Sequence, residues 1–104
     1  NSARLYIQFA ATVTAGQLVK ITAAGKADLG VAGNVIGWAP AAVAINDYGE
    51  VRLLGLDTAI AGLTPGVTYY ASAGTPGAIT AAVTAQSIGF AISASQLFFN
   101  PRYS

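Results

Sequence analysis

Turns built on glycine and proline recur along the whole chain, and they constrain the fold more than any other feature of the sequence. The clearest is Pro65-Gly66. Proline presets a negative φ and glycine tolerates a positive one, so the pair fits the centre of a type II turn. Residues 67–70 are β-branched or aromatic and favour a strand. A second turn at 74–77 and a return segment at 78–80 complete a predicted β-hairpin.

Alternation of side-chain character predicts further strands. Residues 4–10 place Leu5, Ile7 and Phe9 on one face of a strand, and residues 50–54 alternate in the same way, with Val51 and Leu53 predicted to face inward. A turn is expected at 46–49. The other predicted strands are 17–22, 27–29, 35–39, 88–92 and 96–99.

The sequence also contains an internal repeat. The turn at 15–16, the strand that follows it, a glycine turn and the segment 35–39 parallel the turn at 65–66, its strand, a second glycine turn and the segment 87–91. Each half includes an Ile-Gly-aromatic-Ala unit, at 36–39 and 88–91, whose glycine predicts a bulge or a close approach of two backbones. We therefore expect one all-β domain over residues 1–104, a small barrel or sandwich of two similar hairpin-containing halves. Little or no helix is expected, and short arms are expected at 1–4 and 100–104.

Charge is unusually sparse in this chain. Charged residues make up 9% of the 104 residues and hydrophobic residues 54%, against about 25% charged residues in a typical soluble domain. A surface so poor in charge is expected to be covered by copies of the chain or by a partner. The alternative is a neutral, soluble surface of small and polar residues. The formal net charge of +1, with dispersed basic residues, gives no electrostatic footprint for nucleic acid.

Residues 58–101 contain no charged side chain, which raises the question of a membrane segment. Glycine and proline interrupt this region too often for a spanning helix of about 20 residues, so no membrane partner is expected. The N-terminal residues show no basic region followed by an apolar one, so no signal peptide is expected. Because the chain opens at Asn1, a preceding part is expected to have been removed or left out.

Several kinds of catalytic and metal chemistry lack their residues here. The chain has no cysteine and no histidine, so it can form neither a thiolate or imidazole metal site nor a histidine-based triad. Asp47, Glu50 and Asp57 match no calcium-loop spacing and are interpreted as solvated turn and loop acids. We predict no catalytic residue, no cofactor and no metal site.

The large apolar and aromatic residues fall into two groups. Leu5, Ile7, Phe9, Trp38, Tyr69 and Phe90 occupy alternating positions and are interpreted as core. Other aromatic residues lie in the opposite phase, in a turn or in the tail, and aromatic and arginine side chains are the usual anchors of protein interfaces. The predicted interface residues are Arg4, Tyr6, Tyr48, Tyr70, Phe98, Arg102 and Tyr103. Isolated exposed aromatics and a base-stacking platform remain alternatives for these residues, although a platform also needs a basic groove.

Several segments resemble small β domains of tailed-phage virions, above all capsid decoration (cement) proteins. They are Ala-Gly-Gln-Leu-Val-Lys-Ile at 15–21, Gly-Lys-Ala at 25–27, Val-Ile-Gly-Trp-Ala at 35–39 and Gly-Glu-Val-Arg-Leu-Leu-Gly at 49–55. The segment 62–70, with Ile-Gly-Phe-Ala at 88–91, is similar to domains of phage tail fibres.

The resemblance implies a non-enzymatic, β-tulip-like domain on the outer surface of the capsid. Such a domain is commonly a homotrimer and cross-links neighbouring subunits of the major capsid protein, and we expect the arms of this chain to join those contacts. The alternative is a trimeric domain of a tail fibre or spike that binds a host glycan or protein. That alternative predicts long repeats or an exposed aromatic pocket, and neither is visible in the sequence.

Overall fold

The computed structural model describes residues 3–101. They form ten β-strands joined by turns and loops, and no helix occurs within that range. The prediction of an all-β domain is confirmed. No helix within these residues is long and apolar enough to cross a membrane. The strands are β1 (Arg4–Gln8), β2 (Leu18–Ile21), β3 (Ala27–Leu29), β4 (Gly37–Trp38), β5 (Tyr48–Arg52), β6 (Gly55–Asp57), β7 (Thr68–Ala71), β8 (Ile79–Thr80), β9 (Ser87–Ser93) and β10 (Gln96–Phe99).

The strands form two five-stranded antiparallel sheets with the same topology. The first sheet has the order β1-β5-β4-β2-β3 and the second has the order β6-β10-β9-β7-β8. Adding five to each strand number of the first sheet gives the second, so each half of the chain builds one sheet by the same path. The predicted assembly from two similar halves is confirmed, and their arrangement is that of a small β-sandwich.

Turns at equivalent positions begin the second strand of each half. The amide of Val67 donates to the carbonyl of Thr64 at 3.2 Å, and Gly66 between them has a φ of 83°. In the first half the amide of Gln17 donates to the carbonyl of Thr14 at 3.3 Å, around a glycine with a φ of 89°. A positive φ at the third residue is what a type II turn requires, which agrees with the type II turn predicted at 65–66 and with the turn predicted at 15–16.

The glycines of the two Ile-Gly-aromatic-Ala units allow neighbouring backbones to come close. A Cβ atom on Gly37 would collide with the carbonyl oxygen of Arg52, and one on Gly89 would collide with that of Phe98. Gly89 has a φ of 152° and lies where the register of β7 and β9 shifts. Both the close approach and the bulge expected from the sequence are therefore present.

The hydrophobic interior has two layers, one on each side of the first sheet. Leu18 and its neighbour Val19 point to opposite faces of β2, as successive strand residues do. Leu18 belongs to the core between the sheets, where Trp38 packs on Phe99 with ring centroids 4.7 Å apart. Val19 belongs to a second core, which is closed by the connections that carry Val13 and Val43.

Gln86 joins the two halves through its buried side chain. Its Oε1 atom accepts hydrogen bonds from the amides of Gly33 and Val35 at 2.9 and 3.0 Å, and its Nε2 atom donates to the carbonyl of Val35 at 2.8 Å. A side chain from the second half thus satisfies the backbone of the first half, and backbone hydrogen bonds from Leu18 to Gly77, from Gly77 to Gly30 and from Ala32 to Ser72 also join the halves.

Two predicted core residues and one predicted turn are placed wrongly. Phe90 is 47% exposed and Leu5 is 38% exposed, so neither is a core residue. Phe90 points away from the first sheet, because the second sheet turns its opposite face toward the interior. The turn expected at 46–49 lies at Ala44–Asp47 instead, since Asn46 takes the positive φ and β5 already begins at Tyr48.

Candidate protein interfaces

Two exposed tyrosines lie side by side on the first sheet. The antiparallel register of β1 and β5 places Tyr6 opposite Glu50 and Gln8 opposite Tyr48. Tyr6 is 73% exposed and Tyr48 is 59% exposed, and their rings stack with centroids 6.2 Å apart and planes inclined by 24°. We call the surface formed by Arg4, Tyr6, Tyr48 and Glu50 the tyrosine–arginine face.

Glu50 organises the charges of the tyrosine–arginine face. Its Oε2 atom accepts a hydrogen bond from Nε of Arg52 at 2.8 Å and lies 3.6 Å from a guanidinium nitrogen of Arg4. The hydrogen bond from Arg52, aided by Arg4, lowers the pKa of the Glu50 carboxyl. Glu50 therefore stays ionised and holds two guanidinium groups beside the tyrosine pair.

A cleft opens beside this charge cluster. It has a volume of about 440 Å³ and is lined by Arg4, Leu5, Tyr6 and Glu50. Its lining includes one aromatic ring, that of Tyr6, and charged groups of both signs, from Arg4 and Glu50.

A second exposed surface lies on the side of the second sheet that faces away from the first. Leu56 pairs with Phe98, Phe98 with Phe90, and Phe90 with Thr68, so these side chains form one row across four strands. The rings of Phe90 and Phe98 lie 5.5 Å apart. We call this row, with the half-exposed Ile92 two residues beyond Phe90, the apolar outer face.

The predicted interface residues separate into two groups. Arg4, Tyr6 and Tyr48 come together on the tyrosine–arginine face. Phe98 lies on the apolar outer face, and the half-buried Tyr70 follows Thr68 on the same side of β7. Arg102 and Tyr103 lie outside the described residues. In the predicted C-terminal arm, the amide of Asn100 donates to the carbonyl of Ile88, and Pro101 is buried.

Sequence reasoning missed Leu56 and Phe90 as surface residues. Alternation along β9 separates the residues of its two faces, but only the stacking of the two sheets decides which of these faces is buried. The pairing of Phe90 with Phe98, already assigned to the surface, is the signal that could have placed it there, because directly opposed residues share a face.

Asp57 is a fully buried carboxylate at the end of β6. Its Oδ1 atom accepts a hydrogen bond from the amide of Ala59 at 2.9 Å, while its Oδ2 atom has no hydrogen-bond partner within residues 3–101. Burial raises the pKa of this carboxyl, opposed by the Ala59 hydrogen bond and by the charge of Arg52. The expectation that Asp57 is a solvated acid is therefore wrong.

The buried carboxyl of Asp57 predicts a measurable pH dependence of stability. Because its pKa is higher in the folded than in the unfolded chain, its ionisation destabilises the fold as the pH rises through the folded pKa. Asp57→Asn keeps an oxygen for the Ala59 amide and removes the charge. We expect the free energy of unfolding of the variant, relative to that of the wild type, to rise as the pH increases from 3 to 7. Urea unfolding across this pH range measures it, and a difference that does not vary with pH would contradict the assignment.

The acidic residues do not assemble into a metal site. Within residues 3–101, no group of three or more acidic side chains lies close enough to hold a metal ion. Glu50 is engaged by two arginines, and Asp57 is buried with a single hydrogen bond.

Comparisons of the chain with protein-family models, with curated proteins and with solved structures found no match.

Proposed function

We propose that this chain is a structural protein of a tailed-phage virion that decorates the outer surface of the capsid and stabilises it by cross-linking major coat subunits. The observation that carries the proposal is the tyrosine–arginine face, where two stacked and exposed tyrosines adjoin Arg4. The resemblance of segments 15–21, 25–27, 35–39 and 49–55 to capsid decoration proteins supplies the identity of the partner.

The physical properties of the tyrosine–arginine face suit a protein partner. Tyrosine presents a large contact area at a low cost in side-chain entropy, and tyrosine and arginine are enriched among residues whose truncation weakens protein interfaces most. The Glu50 carboxylate holds both arginine side chains in place, so less freedom is lost on binding.

Stabilisation of the capsid follows from mass action. A protein that binds the expanded shell, and not the collapsed or open shell, favours the state that it binds by RT ln(1 + [L]/Kd) at each site. Summed over the lattice, modest binding at each site raises the resistance of the shell to heat and to internal pressure. The chain needs no catalytic group for this role.

Substitution of Tyr48 tests the proposal directly. Tyr48→Ser removes one exposed ring of the stacked pair and leaves both cores untouched. We expect the Kd for expanded capsids, measured by cosedimentation, to rise at least tenfold, because an interface tyrosine of this kind contributes about 1.4 kcal/mol or more.

The matched control is Val83→Ser, which truncates a residue that is 80% exposed and lies in the other half of the chain. It is expected to bind capsids as the wild type does. Equal binding by the wild type and Tyr48→Ser, with thermal unfolding showing both to be folded, contradicts the role of this face. No binding of the wild type to capsids contradicts the proposed function itself.

A second candidate is a trimeric domain of a tail fibre or spike, and the cleft beside Tyr6 favours it. A volume of about 440 Å³ lined by one tyrosine ring and a carboxylate is suited to one sugar residue of a host glycan. A glycan array separates the candidates. Binding that is lost in Tyr6→Ala supports the fibre role, and the absence of glycan binding leaves the capsid role as the proposal.

A further inference from the structure

Strand β1 is the longest of the four edge strands within residues 3–101. It covers five residues, whereas the edge strands β3, β6 and β8 cover three, three and two. Its register with β5 runs over five residue pairs without a shift. Proteins commonly protect an exposed edge by shortening it, or with a bulge or a proline, and β1 has neither a bulge nor a proline. Its free side is therefore suited to receive a further strand.

The hydrogen bonds at the two ends of β1 show which backbone groups point to this free side. The carbonyl of Ala3 accepts, and the amide of Phe9 donates, a hydrogen bond of 2.8 Å with the chain at either end of β5. Along an antiparallel pair, residues alternate in directing these groups toward the partner strand and away from it. The odd-numbered residues of β1 therefore bond β5, while Arg4 and Tyr6 direct their amides and carbonyls to the free side.

Only the C-terminal end of this edge is closed within the described part of the chain. Phe9 forms a parallel bridge with Ala27, and the amide of Ala10 donates to the carbonyl of Ala27 at 2.7 Å. No described strand lies beside Arg4 or Tyr6 on this side. A row of outward-pointing amides and carbonyls at a sheet edge is matched by the backbone of another extended segment. The kind of occupant thus follows from the hydrogen-bonding groups themselves.

The tyrosine–arginine face adjoins this edge and has an excess of positive charge. Arg4 and Arg52 are directly opposed on β1 and β5, and both guanidinium groups share one carboxylate, that of Glu50. The Arg4 side chain is 58% exposed, and the cleft beside it follows three consecutive residues of β1, at 4–6. Because paired strands share their faces, alternate side chains of an added strand would lie beside Arg4 and Tyr6. An acidic side chain at that position would balance the excess charge.

We propose that an extended segment of the major coat subunit pairs with the free edge of β1 and places an acidic side chain against Arg4. This inference rests on the proposed function and specifies how the tyrosine–arginine face engages its partner. Main-chain hydrogen bonds supply affinity in this mode of binding, and the side chains beside Arg4 and Tyr6 supply specificity. A second copy of this chain fits the edge less well, since pairing of β1 with β1 would bring together two faces of net positive charge.

Tyr6→Pro tests the pairing of strands. Proline lacks the amide that Tyr6 directs to the free side, and it is tolerated in edge strands at positions whose amide faces solvent. Tyr6→Ala is the matched control, because it also loses the ring but keeps the amide. We expect the Kd of Tyr6→Pro for expanded capsids, measured by cosedimentation, to be about tenfold above that of Tyr6→Ala. Thermal unfolding establishes that both variants are folded.

Equal Kd values for the two folded variants overturn the inference and leave the proposed function standing. A wild type that does not bind capsids contradicts the proposed function, and this inference with it.

Hydrogen exchange of the wild type keeps the test decisive if Tyr6→Pro does not fold. The amides of Leu5 and Ile7 are expected to exchange slowly in the free and in the capsid-bound chain, because both bond β5. Those of Arg4 and Tyr6 are expected to exchange slowly only in the bound chain. Rapid exchange at Tyr6 in the bound chain overturns the pairing. Slow exchange there in the free chain at high concentration assigns the edge to a second copy and also overturns the inference.

Arg4→Gln tests the charge of the occupant. Glutamine keeps hydrogen-bond donors but removes the positive charge, so we expect the binding of capsids to weaken and to depend less steeply on salt concentration. A folded Arg4→Gln that binds capsids with the affinity and the salt dependence of the wild type overturns the assignment of an acidic segment.

Discussion

Gly89→Ala is expected to lower the free energy of unfolding by about 3–5 kcal/mol, the sum of backbone strain at a positive φ and of overpacking. Gly89 has a φ of 152°, which side-chain-bearing residues rarely adopt, and its Cβ atom would collide with the backbone carbonyl of Phe98. A backbone oxygen cannot rotate away as a side chain can, so β9 and β10 must separate at the centre of the second sheet. Urea unfolding followed by tryptophan fluorescence measures the loss, because Trp38 packs directly on Phe99.

Gly74→Ala is the matched control for this prediction. Gly74 lies in the turn between β7 and β8 and is not among the glycines with positive φ. A Cβ atom added to it would have no other heavy atom within 4 Å. Its replacement should change stability by less than about 0.5 kcal/mol. If Gly89→Ala is as stable as Gly74→Ala, the close packing of β9 on β10 described here is wrong.

Gln86→Leu is expected to lower the free energy of unfolding by about 3 kcal/mol, because it leaves buried backbone groups without their hydrogen bonds, at about 1–3 kcal/mol each. Leucine has a similar volume, so a cavity contributes little. The amide and the carbonyl of Val35 both bond to the Gln86 side chain, and Val35 is fully buried. Since these bonds join the two halves, the loss should appear in one cooperative transition, which denaturant unfolding can measure.

The control for Gln86 is Gln8→Leu. Gln8 also bonds a backbone carbonyl, that of Asn46 at 2.9 Å, but at an exposed site where water can replace the bond. We expect its stability to change by less than about 0.5 kcal/mol. Equal stability of the two variants would contradict the assignment of the Gln86 side chain as a stabilising polar contact between the two halves.

Much of the architecture could be predicted from the sequence because it is encoded locally. Turn glycines at positions 16 and 66, alternating residues in β1 and β5, and the repeated Ile-Gly-aromatic-Ala unit each specify a backbone conformation within a few residues. The repeat then predicted two halves of one topology. These features depend on neighbouring residues, so no knowledge of the complete fold is required to recognise them.

The direction in which each sheet faces could not be predicted in the same way. Trp38 and Phe90 occupy the same place in the repeat, yet Trp38 is buried and Phe90 is exposed. Alternation shows only that a strand has two faces, and the stacking of the second sheet on the first decides which face is covered. Sequence patterns therefore predict only part of the exposed surfaces. They identify Tyr6 and Tyr48 as surface residues, but they assign Phe90 to the core.

Gln86 and Asp57 are also determined by tertiary structure. Gln86 ends a segment of small residues that resembles an ordinary loop, and nothing nearby in the sequence marks it as buried. Asp57 follows a charge-bearing segment and resembles a solvated loop acid, but strand β6 carries it into the interior. Gln86 receives its role from backbone groups of the other half of the chain, and Asp57 from the burial of the end of β6.

The measurement that tests the proposed function most directly is the quantity of this chain in separated parts of the virion. Under the proposed function, virions from the source of the chain would be purified, heads would be separated from tails, and the chain would be quantified in each fraction by intact mass. The proposal predicts many copies with the heads, in a fixed ratio to the major coat protein. A few copies found only with the tails would contradict it in favour of the fibre domain, and absence from both fractions would contradict a virion role altogether.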